Sequence, residues 1–296
     1  MALTLRQLEI FRAIARRGTT TAAAQSVPLS QSATSAALNE LESTLAVKLF
    51  DRVGKRLLLN DNGRVLLPAA LAILDGARTA AAAFSRAGAA GDLHLFASTT
   101  VGNYFLPPLL ASFYQLEPNT RMQLRIGNTL EVVEAVRQFE TDLGLIEGPC
   151  HAAAIHVIPW LQDELVIVAS PAHELSKAAK RGRLTVAQLA QALWLMREPG
   201  SGTREAVERA FLSHFLSLPT TMTLGSSEAI KNAVAGGLGI GYVSRSVVQD
   251  FVAAKRLKIL DTQLPKLTRR LTIIHHEKKI LSNSLRRFIA HCGADG

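Results

Sequence analysis

The sequence predicts an α/β protein in three parts: a small helical head, one long helix, and a two-lobed body of alternating strands and helices. Three observations carry this. A chain of 296 residues is long enough for two domains with separate cores. Apolar residues recur at helical spacing through the N-terminal part, and from Asp92 the pattern changes to short apolar strands separated by helices. Charge is uneven as well: residues 1–88 hold 11 Lys/Arg against 6 Asp/Glu, a net +5 of the formal +9, which leaves +4 on a remainder more than twice as long. A densely basic head suits a nucleic-acid partner, although a solvated basic surface gives the same count.

The head begins with Thr4 and Gln7, the two ends of a capping box, and its first helix carries Leu8, Phe11 and Ile14 inward until Gly18 supplies a left-handed stop. A second short helix, AAAQS, follows the threonines 19–21, and Pro28 breaks it because proline cannot continue the hydrogen-bond ladder. Ser30 caps a third helix whose inward stripe is Thr34, Leu38, Leu41 and Leu45. Its outer side holds Gln31, Ser32, Ser35, Ala36 and Asn39, short polar groups of the kind a major groove accepts. In KLFDRVGKRLLLN two apolar patches flank VGKR, so the segment reads as a hairpin wing with Arg52, Lys55 and Arg56 placed for phosphate or minor-groove contact. The combination is a winged helix-turn-helix over residues 1–60. A protein-interaction module on the same scaffold is the competing reading.

Asn60 caps the next helix, expected from Asp61 to about Arg86. Leu66, Ala70, Ile73, Ala77, Ala80 and Phe84 step by threes and fours like a coiled-coil seam, so a linker helix over 61–88 is expected to pair with a second copy. Pro68 is expected to kink the helix or move its start. Gly88 and Gly91 form a small-residue hinge before the body at 89–296.

In the body, DLHLFAS, MQLRI and LGLI are the strands of a first lobe (89–163 and 264–296). DELVIVAS leads into a second (164–263), where LWLM, TMTL and IGYV repeat the scheme, and LTIIHH returns to the first. The expected fold is a doubly wound, parallel α/β arrangement in each lobe, as in periplasmic binding proteins, with a ligand cleft between them. Ligands bind at the carboxyl ends of such strands. Those ends bring Ser98, Thr99 and Thr100, Asn128 and Thr129, Glu147, the loop residues Gly202, Thr203 and Arg204, and Ser226 to one edge. Hydroxyls, helix N-termini and an arginine favour a small oxyanion. Each Ser, Thr or Asn is also an adequate helix cap, as Asn128 with Glu131 shows. Glu147 is the odd member, expected either to pair with Arg204 or to accept a proton from the ligand.

Enzyme chemistry has no support. The GSGTR loop lacks the lysine and spacing of a phosphate-binding P-loop, GGLGIG precedes a strand instead of linking strand to helix, and no nucleophile elbow, HExxH or catalytic residue set is present. No cofactor is expected. Cys150 and Cys292 lie far apart, and neither they nor His151, His275 and His276 have metal-site spacing. Arg6 and Glu9 interrupt any export signal and no apolar run approaches membrane length, so a cytoplasmic protein with no membrane partner is expected. A solute-binding transport protein shares the two-lobed plan, but the DNA-binding head opposes that reading.

Several stretches then carry a resemblance: TTAAAQSVPLSQSATSAALNELE, KLFDRVGKRLLLNDNGRVLLP, DLGLIEGPCH, REPGSGTREAV, LGSSEAIKNAV and IHHEKKILSNSLRRF. Together they resemble the LysR-type transcriptional regulators over nearly the whole chain, most of all the YeiE-like, sulfite-responsive branch. One departure is Ala36, where many members carry Arg. The resemblance implies a regulator that binds double-stranded promoter DNA, a homodimer through the linker helix with two dimers in a tetramer, RNA polymerase as a further partner, and sulfite or a related sulfur anion as effector. The residues alone lead only to a small oxyanion and leave an organic carboxylate or a phosphate-bearing metabolite open.

Overall fold

A computed structural model describes residues 3–84, 92–214 and 221–293. Contacts divide the chain into two units, residues 1–89 with 278–282, and residues 90–277 with 283–296.

In the first unit α1 (Leu5–Arg17) starts with the expected capping box: the Gln7 amide donates to Thr4 Oγ1 and the Thr4 amide to Gln7 Oε1, and Gly18 closes the helix at φ 72°. Thr19 caps α2 (Thr20–Ser26), which therefore begins inside the threonine run. Ser30 caps α3 (Gln31–Leu45), with Thr34, Leu38 and Leu41 buried. β1 (Phe50–Val53) and β2 (Arg56–Leu59) form an antiparallel hairpin that turns at Gly54, φ 59°, a left-handed conformation that glycine adopts without strain. Buried Glu42 joins helix to wing: its carboxylate accepts the Leu49 amide at 2.9 Å and Lys48 Nζ at 2.6 Å. Around it Leu8, Phe11, Ile14, Leu41, Leu49 and Phe50 make one core.

Asn60 accepts the Gly63 amide, and α4 (Asp61–Phe84) runs without a break through Pro68. A Cβ on Gly63 would lie 2.2 Å from the Leu49 carbonyl, so glycine is required where helix meets wing. The expected seam needs correction at its start. Ala70 is fully buried in the head core and Leu66 packs against that core, so neither faces a partner, whereas Val65 and Ile73 are exposed. The register slips because the head claims the first helical turns for its own packing. The Phe84 side chain, Arg86, Gly88 and Gly91 lie outside what is described. Buried Lys279, from the segment that belongs to this unit, donates to Asp75 on α4 at 2.7 Å.

In the second unit β3 (Asp92–Ser98) leads through a π-helical turn, Val101–Phe105, into α5 (Leu106–Leu116). Then follow β4 (Arg121–Gly127), α6 (Thr129–Arg137), β5 (Leu143–Glu147) and the long β6 (Ile155–Ala169). The second lobe continues with α7 (Glu174–Ala178), α8 (Val186–Ala190), β7 (Trp194–Arg197), α9 (Gly202–His214), β8 (Thr221–Leu224), α10 (Ser227–Ala235), β9 (Ile240–Ser244), α11 (Arg245–Ala253) and β10 (Lys258–Ile259). β11 (Leu267–His276) and α12 (Asn283–His291) complete the chain.

One sheet runs through both lobes in the order β4-β3-β5-β11-β6-β9-β7-β8, with β10 beside β6. Strands β3, β4 and β5 are mutually parallel, and so are β7, β8 and β9. The parallel expectation fails at β6 and β11, which run antiparallel to their neighbours. Each strand is long enough to serve both lobes: Ile155–Pro159 of β6 pairs beside the first parallel set, and Leu165–Ala169 pairs with β9. Their register jumps from Arg270 opposite Gln162 to Thr272 opposite Pro159, a β-bulge where the lobes meet. The expected boundary at DELVIVAS is the second half of β6.

Trp194, Phe211 and Tyr242 anchor one core of the second lobe, and Phe96, Val136, Ile146 and Ile274 one core of the first.

Candidate functional site

Two sets of polar residues remain once the cores are accounted for. On the head, Gln31, Ser32, Ala36 and Asn39 are exposed along the outer side of α3 and Ser35 is half-buried. Gln31 Nε2 donates to Thr20 Oγ1 on α2 and to Ser35 Oγ, at 3.3 and 3.2 Å, so its amide is held in place at the start of the helix. Arg52, Lys55 and Arg56 are exposed on the hairpin, and among the described residues none lies within ion-pair distance of a carboxylate. Their charge is left for solvent or a polyanion.

The second set lies between the lobes, where the carboxyl ends of β3, β4, β5 and β7 meet the starts of α6, α9 and α10. Glu147 is at its centre, buried to 2% exposure. Its carboxylate accepts the Thr100 amide, Thr203 Oγ1 and Arg269 Nη1, each at 2.8 Å. Burial alone would raise the Glu147 pKa, but the Arg269 guanidinium and the hydrogen bonds from Thr203 and Thr100 outweigh it and hold it down to about 2. The same guanidinium reaches Asp163 on β6 at 2.8 Å, so one cation bridges carboxylates of two strands. Gly202 sits against this group: a Cβ there would lie 2.2 Å from the Glu147 carbonyl oxygen. Backbone approach of that kind admits only glycine.

Contacts between the lobes continue outward. The Gly202 amide donates to Thr129 Oγ1 at 3.2 Å and the Leu130 amide to the Gly200 carbonyl at 3.1 Å. Arg197, the last residue of β7 and 2% exposed, is held by both oxygens of Glu198 at 2.7 Å. It also donates to Ser227 Oγ at 3.1 Å and, across the cleft, to Thr99 Oγ1 at 3.2 Å. Beside these groups the hydroxyls of Ser98, Thr100 and Ser201 are buried and have no hydrogen-bond partner.

The structure thus gathers Ser98, Thr99, Thr100, Thr129, Glu147, Gly202 and Thr203 in one place. Asn128 is engaged as the cap of α6, its side chain accepting the Glu131 amide at 2.9 Å, and Ser226 caps α10 in the same way. The expected pairing of Arg204 with Glu147 is corrected: Arg204 pairs with Glu208, four residues along α9, at 2.7 Å and donates to the Arg197 carbonyl and to Thr223 Oγ1. The partner of Glu147 is Arg269 instead. Not every strand end leads into a helix: β5 is followed by Gly148 and a loop into β6.

Ser201, in the GSGTR loop, and Ser227, beside Ser226, also belong to the strand ends that the sequence points to; Arg197 and the last of the group, Arg269, do not. An arginine closing the apolar run LWLM was a usable signal for the first. In LTRRLTIIHH the strand period places Arg269 on the buried side with Leu271 and Ile273, a signal for the last. Cys150 and Cys292 are free thiols, and burial pushes Cys292 up to about 12, away from nucleophilic use. Among the described residues no group of three or more His, Cys, Asp or Glu could hold a metal, and no helix is long and apolar enough to cross a membrane.

A winged helix-turn-helix with unpaired cations, carried in one chain with a two-lobed body whose polar strand ends converge, defines a transcriptional regulator that reads DNA and receives an effector. Residues 5–64 match the bacterial regulatory helix-turn-helix protein family of lysR type and residues 86–295 the LysR substrate binding domain. The chain belongs to the LysR family of DNA-binding transcriptional regulators, and it is not an enzyme. It is 48% identical over 292 residues to the uncharacterised HTH-type transcriptional regulator YeiE of Escherichia coli (strain K12), covering 99% of this chain and 98% of that one. Full-length OxyR of Pseudomonas aeruginosa shares the fold, with a TM-score of 0.74 at 22% identity over 99% of this chain and 94% of that one. The regulatory domain of Synechocystis CcmR, solved in complex with 2-PG, has a TM-score of 0.63 at 32% identity over 68% of this chain and 95% of that one.

Proposed function

We propose that the interlobe cleft is the effector site and that it takes a small oxyanion, sulfite or a related sulfur anion before others. The observation that carries this reading is the trio of buried hydroxyls without a hydrogen-bond partner among the described residues, Ser98 Oγ, Thr100 Oγ1 and Ser201 Oγ, on the strand end and the loop whose neighbours Thr99 and Arg197 bond across the cleft. Buried polar groups are rarely left unsatisfied, and three donors near helix N-termini suit an acceptor with several oxygens. Arg197 is already held by Glu198, so a ligand carrying one negative charge is better matched than a multiply charged one, which favours the hydrogensulfite form of sulfite over sulfate or thiosulfate. The resemblance to the sulfite-responsive branch supports sulfite, and the 2-PG complex of CcmR keeps a phosphate-bearing metabolite or organic carboxylate as the second reading.

On this reading residues 1–60 bind operator DNA, with Gln31, Ser32, Ser35 and Asn39 at base edges and Arg52, Lys55 and Arg56 on phosphates. The linker helix, through its exposed Val65 and Ile73, pairs two copies in the cytoplasm, and pairs of dimers form tetramers that act with RNA polymerase. Effector favours one arrangement of the lobes, and its differential affinity shifts the DNA-bound population. Calorimetric titration of the full chain with sulfite, sulfate, thiosulfate, phosphate and small carboxylates tests this. Sulfite is expected to bind best and Ser98→Ala with Thr100→Ala to weaken it roughly tenfold or more, two lost hydrogen bonds at about 1 kcal/mol each. Unchanged sulfite affinity in that double variant moves the site elsewhere.

A further inference from the structure

A cavity of about 660 Å³ lies on the body between α9 and the crossing of β6 with β11; Gly202 borders it, while Ser98, Thr100 and Ser201 are not among its lining residues. Its size falls within the usual range for small-molecule sites. Val157, Pro159, Phe211, Tyr242, Leu264 and Leu267 give it a mainly apolar lining, drawn from both lobes. The β-bulge described above forms one wall. Pro159 has no N–H to offer the strand opposite, and the facing Thr272 hydroxyl is buried without a partner. The Tyr242 hydroxyl has no hydrogen bond among the described residues either, and burial, then the Glu164 charge, raise its pKa to about 12, so it is a protonated donor. At the border Arg209 is taken up by Glu205, but Arg270 and Lys266 are exposed and have no carboxylate within ion-pair distance among the described residues.

We propose that this cavity is a second ligand site, separate from the cleft, for a small carboxylate with an apolar body. The chain or ring occupies the lining against Phe211 and Leu267, and the carboxylate meets Arg270 and Lys266 at the border. Bulges commonly re-aim side chains beside functional sites, and this one sits where any change in lobe angle must bend β6 and β11. Arg269 lines the cavity and also holds Glu147 and Asp163. An occupant therefore touches the cation that fixes the floor of the cleft, and the two sites communicate through it.

The test uses the full-length protein and decanoate as probe, with decan-1-ol as its uncharged counterpart. Calorimetry is expected to show one saturable decanoate site per chain and much weaker binding of the alcohol. Ala210→Trp, which fills the cavity, is expected to weaken decanoate roughly tenfold or more, and Arg270→Glu, at an exposed position that leaves the fold intact, roughly threefold or more. The double variant Ser98→Ala with Thr100→Ala, in the cleft, is expected to leave decanoate binding unchanged. Absence of saturable binding, equal affinity for the alcohol, or unchanged affinity in Arg270→Glu overturns the proposal. So does loss of decanoate binding in the Ser98→Ala with Thr100→Ala variant, which places the probe in the cleft, whatever the fate of the oxyanion reading.

Discussion

The head and the body of this regulator handle charge in opposite ways. Arg52, Lys55 and Arg56 on the wing are exposed and unpaired, whereas Arg197 and Arg269 in the body are buried and engaged by Glu198, Glu147 and Asp163. A polyanion with many phosphates is met by loose, solvated cations whose counterions it displaces, and the energy comes at the moment of contact. A small ligand needs a fixed frame, so the body's charges hold one another, and on the proposed reading neutral hydroxyls are left for recognition. The same residue type is therefore expected to be dispensable for folding in one region and needed for it in the other.

The strongest way to sharpen this contrast is Arg269→Leu. Removing the cation leaves two buried carboxylates without their partner, and a destabilisation of about 3–5 kcal/mol is expected in denaturant melts. A melt that is unchanged would show that the bridge is not holding β5, β6 and β11 together. Acid is the next probe. Because the folded Glu147 pKa is depressed to about 2, its stabilising contribution is complete above the ordinary carboxylate range and is lost as pH falls from about 5 toward 2. Stability followed over that interval is expected to fall, and Glu147→Gln is expected to flatten that part of the profile. The smallest effect on folding belongs to Arg56→Ala, with stability within about 0.5 kcal/mol of the parent. Its operator affinity should drop at every sequence, and the slope of log affinity against log salt should fall by about one. A variant that loses affinity for its operator alone would place Arg56 at a base edge.

The contrast also accounts for what could be read in advance. Head chemistry lies in consecutive residues: Thr4 with Gln7, Ser30 before its helix and VGKR between two apolar patches are local patterns, and the structure places them as expected. Body chemistry is assembled from distant segments. Strand ends and helix caps were visible, which is why Thr100, Thr129, Glu147 and Thr203 were identified. Their partners were not, because Arg269 lies 122 residues from Glu147 and only the sheet order brings them together. The pairing of Glu147 with Arg204 fails for the same reason: an arginine nearby in the loop looks available to it until its own helix supplies Glu208. The slipped linker seam has a similar origin, since periodicity reports that Leu66 and Ala70 are buried but not against what.

Glu42 carries a last consequence. By holding both Lys48 and the Leu49 amide from the buried side of α3, it ties the angle between recognition helix and wing to the inward half of that helix. The outward half takes no part in that tie, a row of type on a fixed press. On the reading proposed above, Ala36 and Asn39 can be exchanged there, and the head retuned to another operator, without touching the contacts that set that angle.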